Sequence, residues 1–157
     1  MNPRIGLKDT ARAAVVDILN ATLSDEVVLY VKTRNYHWNV VGSDFGELHK
    51  FFEGQYEKLE DFMDDTAERA RALGGHALGT LAEFLKASRL KETPGRYPKA
   101  EARVADLLAD HEAIVQSMRK DLQTCQDKHG DAGTADFLTG LMEEHEKMAW
   151  MLRSYLG

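Results

Sequence analysis

Two stretches of this 157-residue chain concentrate side chains that could do chemistry. Residues 35–53, NYHWNVVGSDFGELHKFFE, hold His37 and His49, and residues 60–70, EDFMDDTAERA, hold Asp64 and Glu68. Imidazoles with carboxylates form a donor set that suits a first-row transition metal. At about 100° per residue of helix, with His49 as zero, Glu53 lies near 40°, Glu60 near 20°, Asp64 near 60° and Glu68 near 100°. All five share one side of one helix, which is also what a solvated polar face looks like.

Distance constrains the metal reading. His49 and Asp64 are fifteen residues apart, about 22 Å of helix, so they cannot bind one ion within one chain. His49 can pair with Glu53, and Asp64 with Glu68, because residues four apart are neighbours on a helix. The stripe therefore holds two half-sites. Two copies of the helix, packed antiparallel about a two-fold axis, would bring the histidine end of one against the carboxylate end of the other and make two identical composite sites. His37 closes the preceding helix, where antiparallel packing can set it near His49. Bundles that build a dinuclear site inside one chain use Glu-x-x-His motifs. None occurs here, which favours a site between chains.

Four long periodic segments must position these residues. The first spans residues 9–38, with the stripe Val15, Ile18, Leu19, Leu23, Val27, Tyr30 and Val31, and Asp9 or Thr10 as its cap. The second spans 44–73, with Asp44 and Glu47 reading as N-cap and N3 acceptor and Gly74–Gly75 as its stop. A shorter helix begins near Thr80. The third spans 99–128 and the fourth 134–155, separated from the first pair by a connection that ends in KETPGRYPKAE. No segment reads as a strand. Short loops make antiparallel neighbours, so the expected fold is all-α: a four-helix bundle with one long crossover that carries a short helix, the connectivity of the ferritin-like variant.

The bulk properties exclude several classes. Apolar content of 43% and charged content of 29% describe a soluble globular chain. The longest apolar run, residues 27–31, is far short of a membrane span. The N-terminus shows no apolar leader, and the single cysteine, Cys125, permits no intrachain disulfide; a cytoplasmic location is expected. A net charge of −6 weighs against nucleic acid as the main partner.

In this setting the chain resembles the Dps family, ferritin-like mini-ferritins that assemble as hollow dodecamers and oxidise iron. The resemblance is carried in order by NYHWNV (35–40), GSDFGELHKFFE (42–53), DDTAERARALGG (64–75), ALGTLAEFL, TADFLTG (134–140) and MAWMLRSYL (148–156). It implies a single ferritin-like domain over residues 1–157, with 1–8 as a short tail. It also implies a ferroxidase site at a two-fold interface, formed by His37, His49 and Glu53 of one chain with Asp64 and Glu68 of its partner. The family commonly has Asp where this chain has Glu53, so that ligand departs from the pattern by one methylene.

Further roles follow from the resemblance alone. Acidic uptake pores near the start of the last helix align with Asp127, Asp131 and Asp136. Positions that nucleate mineral in some relatives are Lys50 and Gly54 here, with Glu57 and Asp61 as substitutes. Trp38, next to His37, is a candidate electron donor, whereas Trp150 is expected to pack. The implied activity is oxidation of Fe(II), preferentially by hydrogen peroxide, with ferric mineral stored inside the shell; zinc is an alternative resting or inhibitory metal. The competing reading is a DNA-compacting protein, and it is disfavoured by the acidic charge and by a tail that offers only Arg4 and Lys8. The remaining histidines, His76, His111, His129 and His145, are expected at the surface.

Overall fold

A computed structural model describes residues 3–157. Its elements are α1 (Asp9–Asn39), α2 (Phe45–Ala72), α3 (Leu81–Ala87), α4 (Ala100–Gln123), a π turn (Thr124–Lys128) and α5 (Ala132–Leu156). No strand occurs among the described residues. The architecture is the ferritin-like bundle expected from the sequence.

Two antiparallel hairpins make the bundle. In the first, the start of α1 meets the end of α2, where Arg12 Nη1 donates to the Leu73 carbonyl (2.7 Å), and the end of α1 meets the start of α2 at His37 and His49. In the second, Arg119 of α4 bonds Glu146 of α5 and Arg153 bonds Glu112 at 2.6 Å. Leu19, Leu29, Phe52, Leu59, Leu107, Ile114, Met118, Leu138 and Leu152 are buried between them.

The α1 stripe is rotated from the sequence expectation. Val31 is exposed, while Thr22, Ser24, Asp25, Glu26, Lys32 and Thr33 are buried. These polar residues are tolerated because α1 lies against α2, α3 and α4, which supply partners for several of them. Asp25 accepts from Ser88 Oγ (2.9 Å), Arg89 N (2.6 Å) and Arg89 Nε (2.6 Å), pinning the crossover just after α3. Asn20 receives Leu78 N and donates to the His76 carbonyl, both at 3.0 Å. The short α3 carries the capping box of Thr80 and Glu83.

Three local expectations are corrected. Lys8, not Asp9 or Thr10, is the N-cap of α1, and no side chain caps that end; Asp9 sits inside the first turn and pairs with Arg12 at 2.7 Å. Asp44 is the N-cap of α2 but makes no side-chain cap bond; its carboxylate receives Ser43 Oγ at 3.2 Å and bonds the Tyr155 side chain. The third long helix does not stay α to residue 128. It ends at Gln123 and widens into the π turn, whose Cys125 carbonyl accepts Asp131 N at 2.9 Å.

Candidate metal centre

His37 lies in the last turn of α1, and His49 lies just inside α2. The turn between them is tight. Val40 is buried and its N–H returns to the Tyr36 carbonyl (2.9 Å), and Gly42 takes φ +119°, a left-handed value that a side chain would resist. The turn stacks the two imidazoles, with centroids 3.6 Å apart and planes at 22°.

Their hydrogen bonds are reciprocal. His37 Nδ1 lies 2.7 Å from the His49 carbonyl, and His49 Nδ1 lies 2.9 Å from the His37 carbonyl. A carbonyl only accepts, so each Nδ1 carries the hydrogen. In the neutral rings this leaves both Nε2 lone pairs free, the state a metal ligand needs, with the second nitrogen fixing ring orientation.

Glu53, half-buried one turn further along α2, accepts the Tyr56 hydroxyl at 3.4 Å. Burial first, and then the Glu53 charge, raise the Tyr56 phenol above its ordinary pKa. The Tyr56 ring stands edge-on to His37 (5.2 Å, 82°) and carries the Arg34 guanidinium over its face at 4.4 Å. Arg34 also covers Trp38 (5.2 Å) and Tyr30 (5.5 Å) and bonds the Tyr30 hydroxyl at 2.9 Å. Sequence reasoning missed this support. Its signal was the four-residue spacing of Tyr30, Arg34 and Trp38, which aligns all three on one face of α1.

Asp64 and Glu68 are solvent-exposed on the same unbroken helix, so the rise of α2 keeps them about 22 Å and about 28 Å from His49. Asp64 lines an open groove of about 750 Å³ with Glu60, Asp61, Leu23 and Val27. Within one chain, no group of three His, Cys, Asp or Glu among the described residues is placed to hold a metal. The structure thus stacks His37 on His49, sets Glu53 one turn further along α2, and leaves Asp64 and Glu68 toward the far end of that helix.

The other candidates distribute as follows. Asp127 and Asp136 are exposed. Asp131 is buried as the N-cap of α5, accepting Thr134 N (2.9 Å), Thr134 Oγ1 (2.7 Å) and Arg69 Nη2 (3.3 Å). Its carboxylate is spent on folding the loop. Lys50, Gly54, Glu57 and Asp61 are all exposed. Trp38 is 62% exposed, and Trp150, expected to pack, is 60% exposed on this subunit. The surface expectation fails outright for His111 and His145, both fully buried. Their charged sequence neighbours misled; the better signal was that Leu107 and Ile114 bracket His111, and Leu141 and Met148 bracket His145, at helical spacing.

Comparison with known proteins places the chain. The model of the ferritin-like domain matches residues 16–157. A low temperature-induced protein of Nostoc sp. is 49% identical over 152 residues, covering 97% of this chain and 85% of its own. The DNA protection during starvation protein of Helicobacter pylori is 35% identical over 141 residues, covering 90% of this chain and 97% of its own. The Dps protein of Vibrio cholerae, a member of a broad superfamily of ferritin-like diiron-carboxylate proteins, overlays with a TM-score of 0.92 at 31% identity, covering 99% and 97% of the two chains. Dps from Bacillus brevis overlays with a TM-score of 0.90 at 34% identity, covering 96% and 100%. A helical bundle that matches the ferritin-like model over most of its length and overlays Dps structures from end to end belongs to the Dps family of ferritin-like proteins.

Proposed function

We propose that this protein stores and detoxifies iron, oxidising Fe(II) at sites shared between two subunits of a dodecameric shell. One observation carries the reading. Two imidazoles offer free Nε2 lone pairs at one end of α2, while the complementary carboxylates stand exposed at the other end, beyond reach within the chain. A two-fold axis across α2 supplies the missing half to each copy.

In this site Fe(II) is the substrate. His37 and His49 bind it through Nε2, Glu53 adds a carboxylate from the same chain, and Asp64 and Glu68 complete the set from the partner. Two Fe(II) give one electron each to one peroxide, whose O–O bond breaks with both oxygens reduced to the level of water, so no one-electron oxygen radical leaves. The carboxylates favour the ferric product by charge. Tyr56 steadies Glu53, and Arg34 balances the negative charge around it. Trp38, exposed and next to His37 in sequence, would reduce a stray oxidant. Asp127 and Asp136 serve as the exposed acids that raise local cation concentration at a pore, with Asp131 shaping that loop from inside. Zn(II) shares the donor preference and would compete.

Mixed assembly tests the shared site. His49→Ala and Asp64→Ala, each alone, should lose peroxide-driven oxidation of Fe(II) under anaerobic conditions. Co-assembled in equal amounts, they should recover about a quarter of the parental sites, because half of the random dimers pair two different chains and each such dimer keeps one intact site. Parental rates in either single variant would sink the ferroxidase reading. Loss in both without recovery on mixing would leave an oxidase and remove the shared site.

A further inference from the structure

A second polar centre lies in the middle of the bundle, away from the proposed iron site. Glu26 of α1, His111 of α4 and His145 of α5 are each fully buried. His145 Nε2 is 2.8 Å from Glu26 Oε1, and the Nδ1 atoms of His145 and His111 are 2.8 Å apart. The Phe62 ring of α2 packs 5.6 Å from the His145 ring. Glu26 comes from the first hairpin and both histidines from the second, so the centre ties one hairpin to the other.

Its hydrogens can be counted. One must lie between the two facing Nδ1 atoms. If His111 donates it, His145 Nε2–H donates to Glu26, both rings are neutral, and the centre buries an uncompensated carboxylate. If His145 donates it, one further proton lies between His145 Nε2 and Glu26, and the centre is neutral. Burying a lone charge costs several kcal/mol, so the second arrangement is favoured.

Among the described residues, no neighbour supplies the counter-charge instead. Beside Glu26 on α1, Asp25 turns to Arg89 and Lys32 to Asp110 of α4. Glu112 of α4 pairs with Arg153 and Glu146 of α5 with Arg119. Glu143 is exposed and Glu144 half-buried, and from α2 the charged Glu60, Asp61, Asp64 and Asp65 are exposed. A metal fits poorly, because His111 reaches only the far nitrogen of His145 and cannot join it on one ion.

We propose that Glu26, His145 and His111 form an acid-released clasp between the two hairpins, closed by one shared proton and opened by a second. The second proton would place a positive charge on the imidazole pair with no solvent to receive it. Burial, and then His145, hold His111 well below the ordinary histidine pKa. The unfolded chain takes up that proton near 6.5. A depressed folded pKa means that the stabilisation is fully present above about 6.5 and is lost as pH falls below it. Among the described residues, His111 Nε2 and Glu26 Oε2 find no hydrogen-bond partner, so charge added to this centre meets no compensation.

Hydrogen–deuterium exchange of the assembled protein between about pH 5 and pH 7.5, corrected for intrinsic rates, reads the clasp in peptides spanning 107–118 and 141–149. The parent should lose protection about tenfold per pH unit below about 6.5, the slope of one linked proton. His111→Gln, which cannot be charged, should keep neutral-pH protection and show no such slope. A flat parent, or a variant as steep as the parent, overturns the clasp. If His111→Gln does not assemble, C2-hydrogen exchange of His111 in the parent decides. An unprotonated ring at about pH 5.5 supports the clasp, and ordinary titration near 6.5 overturns it. Elemental analysis guards against the alternative cation: stoichiometric metal that vanishes with Glu26→Gln overturns the shared proton, and its absence supports it.

Discussion

At the scale of single residues, burial decides which reactive groups are available. Cys125 is fully buried in the π turn. Burial first, and then Asp131 and Asp121, push its thiol up to about 11. A thiol is nucleophilic only as thiolate, so Cys125 should resist a thiol-reactive dye at about pH 8 in the folded protein and react at once in denaturant. The same shift has a stability consequence. The unfolded thiol ionises near 8.5, and a raised folded pKa means that the stabilisation is full below 8.5 and declines as pH climbs toward 11. A denaturant midpoint that fails to fall over that window, relative to Cys125→Ser, would contradict the assignment. His37 and His49 show the opposite case, since their carbonyl bonds hold each ring in place while leaving Nε2 open.

At the scale of elements, the first hairpin depends on two glycines with opposite needs. Gly75 lies against α1, and a methyl group there would come within 2.4 Å of Val16 Cγ1. Gly75→Ala should therefore cost about 1–3 kcal/mol by forcing α2 off α1. Gly54 stands on the exposed face of α2, with nothing near a built Cβ. There alanine relieves a helix-interior glycine and should stabilise the isolated subunit by up to about 1 kcal/mol. Denaturant unfolding of both variants checks the pair, and a stabilising Gly75→Ala would contradict the close approach of Gly75 to Val16. The pairing of His37 with His49 was legible at this scale, because the two residues flank one inter-helix turn. The support from Tyr56 and Arg34 was not read, since it appears only when α1 and α2 are laid side by side.

At the scale of the whole molecule, the subunit leaves large apolar side chains uncovered. Leu81 and Leu85 on α3 are 72% and 58% exposed, and Trp38 and Trp150 are exposed to a similar degree. Single exposed apolar groups are ordinary, but Leu81 and Leu85, one turn apart on α3, form an apolar pair that a partner chain would cover in the proposed assembly. Light scattering should give the mass of twelve chains. A monomer at micromolar concentration would overturn the proposed site shared between subunits. Each chain contributes a net charge of −6, so the proposed shell should repel DNA. A gel-shift at moderate salt with Mg²⁺ omitted should show no retarded DNA at submicromolar protein, and retardation there would revive the DNA-compacting reading.

The sequence by itself determined the helical periodicity, the stops at Gly74 and in the 91–101 connection, and the spacing that forbids His49 and Asp64 from sharing an ion within one chain. Those are properties of distance along a helix, and a helix converts residue number into length at a fixed rise. Tertiary structure decided the rest. It turned Asp131 from a candidate pore acid into a buried cap, rotated the polar side of α1 into the core, and joined Glu26, His111 and His145 across 119 positions of sequence. Such contacts depend on which faces of different helices meet, and a one-dimensional pattern does not carry that information. His145 sits among glutamates in EEHEK and is nonetheless fully buried, because a step of 100° per residue separates it from neighbours that face the solvent.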